Sequence, residues 1–258
     1  MRFHKYEGAG NDFLVLLDRE ALTFDPAHAP RLCDRHFGVG ADGVLLVLPP
    51  TTPGARATMR VINADGSEPE MCGNGLRCVA LALHQPGVDT FVVDTGAGAK
   101  ACTVHQSTHA SAQVTLEMGA VRYLEACALD DLAPELHVVD AGNPHAILFA
   151  PFPAGDPATL GRAIEHHPRF PARTNVELAE LHGERIRLRV WERGVGFTLA
   201  CGTGACATAV AAWHTGRVHS TQITVELPGG DLQIERTIDS QVRMTGPARH
   251  VFSGDVTL

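Results

Sequence analysis

Lysine is nearly missing from this sequence: Lys5 and Lys100 are the only two among 258 residues. Pyridoxal phosphate chemistry needs a lysine for its Schiff base, and neither residue stands in a recognisable phosphate-binding context, so no such cofactor is expected. Runs of basic residues are missing as well. The net charge is −8 and no five consecutive residues are basic, which leaves no electrostatic footprint for a nucleic acid. No apolar stretch approaches the roughly 20 residues of a membrane span, and Met1-Arg2-Phe3-His4-Lys5-Tyr6-Glu7-Gly8 lacks the apolar core of a signal peptide. A cytoplasmic protein with no nucleic-acid and no membrane partner is expected. Cys-x-x-Cys does not occur, and the seven cysteines are an odd number. A disulfide framework and a zinc site are both disfavoured, so reduced thiols and no metal are expected.

What the chain has instead is one motif written twice. Glu70-Met71-Cys72-Gly73-Asn74-Gly75-Leu76-Arg77-Cys78 is followed 129 positions later by Leu199-Ala200-Cys201-Gly202-Thr203-Gly204-Ala205-Cys206. Each reads Cys-Gly-polar-Gly and runs into an Ala/Val/Leu-rich stretch. A second pair, Gly8-Ala9-Gly10-Asn11-Asp12-Phe13-Leu14-Val15-Leu16 and Asp140-Ala141-Gly142-Asn143-Pro144-His145-Ala146-Ile147-Leu148, is offset by 132. Both place a Gly-Asn pair ahead of an apolar run, as a turn entering a strand does. Two matches in the same order point to an internal duplication, and 258 residues give room for about two domains.

Strand-like runs dominate: Phe13–Leu17, Gly43–Leu48, Thr58–Ile62, Phe91–Asp94, Ala112–Glu117, His137–Val139, Ala146–Phe149, Arg185–Trp191, Gln222–Leu227, Leu232–Glu235 and Gln241–Met244. Arg185–Trp191 alternates strictly, the mark of a sheet with one wet face. Helices are expected over Pro26–Asp34, Leu76–His84, Asp156–His166 and Gly204–His214. The second and fourth are apolar nearly all round and belong at the centre of a domain. The expected class is α+β: two pseudo-symmetric domains, each a mostly antiparallel sheet wrapped around a central helix, with the active site in the interdomain cleft. The boundary is expected near Gly119.

The glycine pattern puts Cys72 and Cys201 at or just before helix N-termini, where first-turn amides lack partners and carry partial positive charge. A thiol there is expected to have a lowered pKa. The same amides, with Gly73, Asn74, Gly202 and Thr203 as candidate donors, form a cradle for a carboxylate. With an amino acid's α-carboxylate held there, one cysteine as thiolate removes the α-proton while the other as thiol delivers a proton to the opposite face. The amides stabilise the enediolate between the two steps, and the pair titrates as a unit. Cys33, Cys78, Cys102, Cys127 and Cys206 read as small buried hydrophobes. Glu192-Arg193-Gly194 closes the alternating strand, so that Arg193 is either a bidentate carboxylate clamp or a solvated arginine. Asn11, Asn63, Asn143 and Asn175 fit turns and caps as well as ligand contacts. His145 reads as a packed or hydrogen-bonding residue near the site, and the remaining histidines, including His166 and His167, as surface residues.

At these motifs the chain resembles the diaminopimelate epimerase family over nearly its whole length. Gly10-Asn11-Asp12-Phe13, Asn63-Ala64-Asp65-Gly66-Ser67-Glu68, Cys72-Gly73-Asn74-Gly75, Gly142-Asn143-Pro144-His145, Glu192-Arg193-Gly194 and Ala200-Cys201-Gly202-Thr203-Gly204-Ala205-Cys206 carry the resemblance in order. It implies cofactor-independent interconversion of LL- and meso-diaminopimelate for lysine and peptidoglycan precursors, with Cys72 and Cys201 as the base/acid pair. It also implies a homodimer, and domains at 1–118 plus 247–258 and at 119–246. By the same resemblance Asn11, Asn63, Asn143, Asn175 and Arg193 hold the distal, L-configured end of the substrate, and Glu192 lies near its amino groups. Two positions depart from the family pattern: Gly43, where some members carry a glutamine that meets substrate, and Phe197, where a glutamate is expected. A proline racemase relative has no distal carboxylate to hold and so no use for the Asn set with Arg193. The related isomerases of phenazine precursors lack the catalytic cysteines. A regulatory disulfide between Cys72 and Cys201 leaves the duplicated anion cradle without a purpose.

Overall fold

The computed structural model describes residues 1–108, 110–129, 132–152 and 154–257. Two compact units divide the chain. One is Met1–Glu117 joined by the stretch from Thr245 onward, and the other is Met118–Met244.

The first unit runs β1 (Arg2–Gly8), β2 (Asn11–Leu16), α1 (Asp18–Thr23), a 3-10 turn (Pro26–His28), α2 (Ala29–Cys33), β3 (Gly43–Leu48), β4 (Ala55–Asn63), α3 (Gly73–Leu83), β5 (Thr90–Thr95), β6 (Gly98–His105) and β7 (Ser111–Gly119). The second runs β8 (Arg122–Leu129), β9 (Ala133–Asp140), β10 (Pro144–Phe149), α4 (Pro157–Glu165), β11 (Asn175–His182), β12 (Arg185–Glu192), β13 (Gly196–Thr198), α5 (Gly202–His214), β14 (Gln222–Leu227) and β15 (Gly230–Arg236). Strand β16 (Val242–Asp255) then carries the chain back into the first unit, where it pairs with β1.

The duplication is written into the pairing. The run β1-β2-β3-β4-β5-β6 pairs antiparallel, parallel, antiparallel, parallel, antiparallel. The run β9-β10-β11-β12-β14-β15 repeats that order. Helix α3 lies between β4 and β5 in the chain, and α5 lies between β12 and β14. The tight turn between β1 and β2 needs φ > 0 at both central residues, and Ala9 at +55° with Gly10 at +79° supply it. In the second unit Gly142 takes φ +89° and donates its N–H to Asp140 Oδ1 at 2.9 Å.

Both central helices are buried. In α3 every residue from Gly73 to Ala80 is buried, and in α5 the small residues Ala205, Ala207, Ala209, Ala211 and Ala212 are fully covered. One core gathers Phe3, Leu14, Leu32, Val44 and Ile62, the other Leu136, Leu148, Ile164, Leu178 and Trp191. Strand β12 follows the expected alternation, with Ile186, Leu188 and Val190 inside.

Several expectations need correction. The stretch Pro26–Asp34 is not one helix but a 3-10 turn and a short α-helix, because a proline stands at the start of each piece. Asp156 is not inside its helix; it caps α4, accepting the Thr159 N–H at 3.0 Å. Helix α3 is central as expected, and the one charge it carries is buried with it. Arg77 is fully buried and donates Nε to Pro247 O on β16 at 3.0 Å. Cys127 is half-buried on β8 rather than in the core. His137 is buried and not a surface residue, with Nδ1 3.0 Å from the Tyr123 hydroxyl. Among the described residues no helix is long and apolar enough to cross a membrane.

Candidate active site

Cys72 is the N-cap of α3, in extended backbone at φ −135° and ψ 113°, and its Sγ accepts the Gly75 N–H at 3.4 Å. The helix therefore starts at Gly73, earlier than the apolar run alone indicates, since the thiol does the capping that a hydroxyl or carboxylate usually does. Asn11, first residue of β2, turns its Oδ1 to this helix start. It accepts the Asn74 Nδ2–H at 3.2 Å and faces the Cys72 thiol at 3.9 Å. Its Nδ2 donates to Asp42 Oδ2 at 2.6 Å, and Arg35 ties Asp42 to Asp12 with contacts of 2.8 and 2.6 Å. Lys5 completes this network as a buried ion-pair partner of Asp12. Asn63 is drawn into a turn of its own, donating Nδ2 to Ser67 Oγ at 2.9 Å. Opposite it in register stands Gly43, where an added Cβ would lie 2.7 Å from Ile62 O. Strand β3 thus has no room for a side chain there without a backbone shift.

Cys201 repeats the arrangement at α5, with φ −126°, ψ 112° and Sγ accepting the Gly204 N–H at 3.4 Å. Its sulfur lies 3.5 Å from Thr203 Oγ1. The expected fall in pKa does not hold for this thiol. Burial pushes it well above the ordinary value, the Glu192 and Glu177 carboxylates push it further, and the Thr203 and Gly204 hydrogen bonds only partly oppose them. A thiol 8 % exposed loses more from desolvation of its anion than a helix terminus returns.

Behind Cys201 runs a polar chain. His145 and Asn175 sit opposite each other on the parallel pair β10 and β11. His145 reaches Glu177 Oε1 with Nδ1 at 2.7 Å and Asn143 Oδ1 with Nε2 at 2.9 Å. Asn175 donates Nδ2 to Pro144 O at 3.0 Å and accepts the Arg193 backbone N–H at 2.9 Å. The Glu192 carboxylate accepts Thr198 Oγ1–H at 2.6 Å, while the exposed Arg193 side chain donates to Ala172 O at 3.1 Å. Phe197 has its own explanation: its ring meets Trp191 edge-on at 5.3 Å and carries the Arg189 guanidinium 4.2 Å above it.

The first unit thus brings together Cys72, Asn74 and Asn11, with Gly73 in the first turn and Asn63 held apart in its own loop. The second brings Cys201, Thr203 and Gly202 to one helix start, with Asn143 and Glu177 joined through His145, and Asn175 joined to the Glu192–Arg193 turn. Sequence reasoning missed Asp42, Glu165 and Glu177. Glu177 had a signal, because it is a lone charge inside the apolar run Val176-Glu177-Leu178-Ala179.

A sequence profile described as diaminopimelate epimerase matches residues 3–124 and 137–251. The chain belongs to the diaminopimelate epimerase family. It is 43 % identical over 283 residues to the diaminopimelate epimerase of Synechocystis sp., covering 100 % of this chain and 99 % of that protein. It is 46 % identical over 286 residues to that of Thermosynechococcus vestitus, covering 98 % of each. Among solved structures, a Bacillus anthracis phenazine biosynthesis protein of the PhzF family has a TM-score of 0.75 at 15 % identity, covering 100 % and 99 % of the two chains. A hydroxyproline epimerase from Agrobacterium vitis has a TM-score of 0.71 at 18 % identity, covering 99 % and 90 %. The fold of this diaminopimelate epimerase family member is therefore the two-domain α+β fold that these proteins share.

Proposed function

We propose that this chain is an isomerase that interconverts LL- and meso-diaminopimelate by two-base proton transfer at one α-carbon, without a cofactor, for lysine and peptidoglycan precursors. The observation that carries the reading is the repeated cap: each unit presents one cysteine sulfur at the N-terminus of its central helix, 3.4 Å from the N–H of a glycine in the first turn.

The substrate α-carboxylate binds the first-turn amides of Gly73, Asn74, Gly202 and Thr203, which stabilise the negative charge that moves onto it when the α-proton leaves. Cys72 and Cys201 are the acid/base pair, one for each face of the carbon. The raised pKa of Cys201 favours its neutral thiol, and each cysteine, when it is the thiolate, is the base for the isomer whose proton it meets. After one inversion the protonation states are exchanged, and the reverse reaction uses them in that form. Asn11, Asn63, Asn143, Asn175 and Arg193 hold the distal end, Glu192 takes its ammonium, and His145 supports Asn143. The enzyme acts as a homodimer in the cytoplasm, with one thiol from the domain formed by 1–118 and 247–258 and one from the domain at 119–246.

The test is proton exchange in deuterated water with LL-diaminopimelate. The wild type incorporates deuterium at one α-carbon with inversion, and Cys72→Ser and Cys201→Ser each lose epimerisation. Full epimerisation by both variants overturns the reading.

A further inference from the structure

Glu165 is the last residue of α4, and it is 2 % exposed. Both circumstances oppose a carboxylate, since burial strips its hydration and the carbonyl end of a helix repels negative charge. The charge is kept by the donors around it. The Trp191 indole donates Nε1–H to Oε2 at 2.8 Å, the Gly194 backbone donates N–H to Oε1 at 2.9 Å, and the Arg173 guanidinium stands 3.6 Å from Oε1. Burial pushes this carboxyl up, yet the Trp191 and Gly194 hydrogen bonds, with His166 and Arg173 nearby, outweigh it and hold the group below its ordinary value.

Trp191 and Gly194 bracket Glu192 and Arg193. The turn closes on itself through the Val195 N–H to Glu192 O at 3.0 Å. Packing gives its tip little support: Val195 is 75 % exposed, and Gly194 and Val195 border an open cavity of about 510 Å³. Orientation of the turn therefore falls to hydrogen bonds, and two consecutive amides are gripped from different elements. Arg193 N–H is held by Asn175 Oδ1 on β11, and Gly194 N–H by Glu165 Oε1 on α4, each at 2.9 Å.

We propose that Glu165 is the positioning residue of the substrate clamp: its buried carboxylate ties Trp191 and Gly194 together so that Glu192 and Arg193 meet the distal end of the diamino dicarboxylate. The inference rests on the reading above that Glu192 and Arg193 hold that end. Glu165 touches no substrate itself. A charged acceptor is needed because both oxygens face N–H donors. A glutamine keeps one acceptor and sets an NH2 group against the other donor, leaving the turn held on one side only.

The experiment compares Glu165→Gln and Glu165→Asp with Arg193→Ala, reading KM, kcat and the stereochemistry of the product from meso-diaminopimelate. A clamp that admits only an L-configured distal end prevents formation of the DD isomer, whereas a loosened clamp allows it. Glu165→Gln should raise KM about tenfold, as expected for losing one hydrogen bond to a charged group. It should leave kcat within about threefold and release measurable DD product, and Glu165→Asp should partly restore the wild-type pattern. Arg193→Ala should show the same signature more strongly. If Arg193→Ala shows it and a folded Glu165→Gln does not, the positioning role is overturned and the clamp stands. If neither shows it, the clamp itself is wrong. A fall in kcat with KM and stereochemistry unchanged also overturns the proposal. Should Glu165→Gln fail to fold, Trp191→Phe removes one of the two donors while leaving the carboxylate, and the same outcomes decide.

Discussion

His145 Nδ1 and Glu177 Oε1 lie 2.7 Å apart with neither side chain exposed to solvent. A buried carboxylate deprived of such a partner is costly. His145→Ala should destabilise the protein by about 3–5 kcal/mol, measured by denaturant unfolding at pH 7. His145→Ala with Glu177→Gln should recover part of the loss, because no charge then remains buried. Strict additivity of the two substitutions would contradict the coupling.

The two helix starts should respond differently to the same substitution. A methyl at Gly204 would lie 2.8 Å from Glu177 Oε1 and 3.4 Å from Cys201 Sγ, and one at Gly75 would lie 3.0 Å from Leu45 Cδ2. The leucine tip can rotate, whereas the carboxylate is held by His145. Gly204→Ala should cost about 1–3 kcal/mol and abolish most activity. Gly75→Ala should stay within about 1 kcal/mol of wild type, since gained helix propensity offsets the crowding. Thermal melting and turnover measured in parallel check both.

Cys201 is held neutral by burial first and by Glu192 and Glu177 after it. Its alkylation by iodoacetamide, followed by mass spectrometry across pH, should have a midpoint above the ordinary thiol value of about 8.5. Removing one of the repelling charges should favour the thiolate, so Glu192→Gln should lower that midpoint. A wild-type midpoint below 8.5 would count against the electrostatics described here.

In the first unit, burial raises the Asp12 carboxyl, but Arg35 and Lys5 outweigh it and hold it below its ordinary value. The sign follows directly. A depressed folded-state pKa adds stability that is present above the unfolded value of about 3.9 and is lost as pH falls through the folded one. Asp12→Asn should therefore lower stability at pH 7 and flatten the acid limb of a melting-temperature profile. An unchanged acid limb would mean that the Lys5–Asp12–Arg35 network is not coupled to folding.

Much of the architecture is local and legible in the sequence. Gly10-Asn11 makes a turn entering a strand because glycine takes positive φ readily, and Arg185–Trp191 makes a strand because its apolar residues alternate. Cys72 and Cys201 sit at helix starts because Cys-Gly-polar-Gly leaves a thiol within reach of an amide three residues on. Strands β1, β6, β8, β11 and β13 lie outside the expected runs. Arg2–Gly8 and Arg122–Leu129 carry charged residues at several positions, and their pairing comes from distant neighbours such as β16 and β9.

Chain order and short-range spacing were enough for the duplicated motif, the two cysteines at helix starts and the resemblance that they carry. Hydrogen bonds within a turn, helix caps and side-chain alternation all act within a few residues. Which charges are buried, and what holds them, lay beyond that range. Arg77 meets Pro247, His145 meets Glu177, and Glu165 meets Gly194, each pair separated by 29 residues or more. Cys201 shows the consequence most plainly, because the local rule lowers its pKa while burial and two carboxylates from neighbouring strands raise it. Desolvation and Coulomb energies depend on distances that only the packed chain defines, so the direction in which the Cys201 thiol shifts was decided by the tertiary fold.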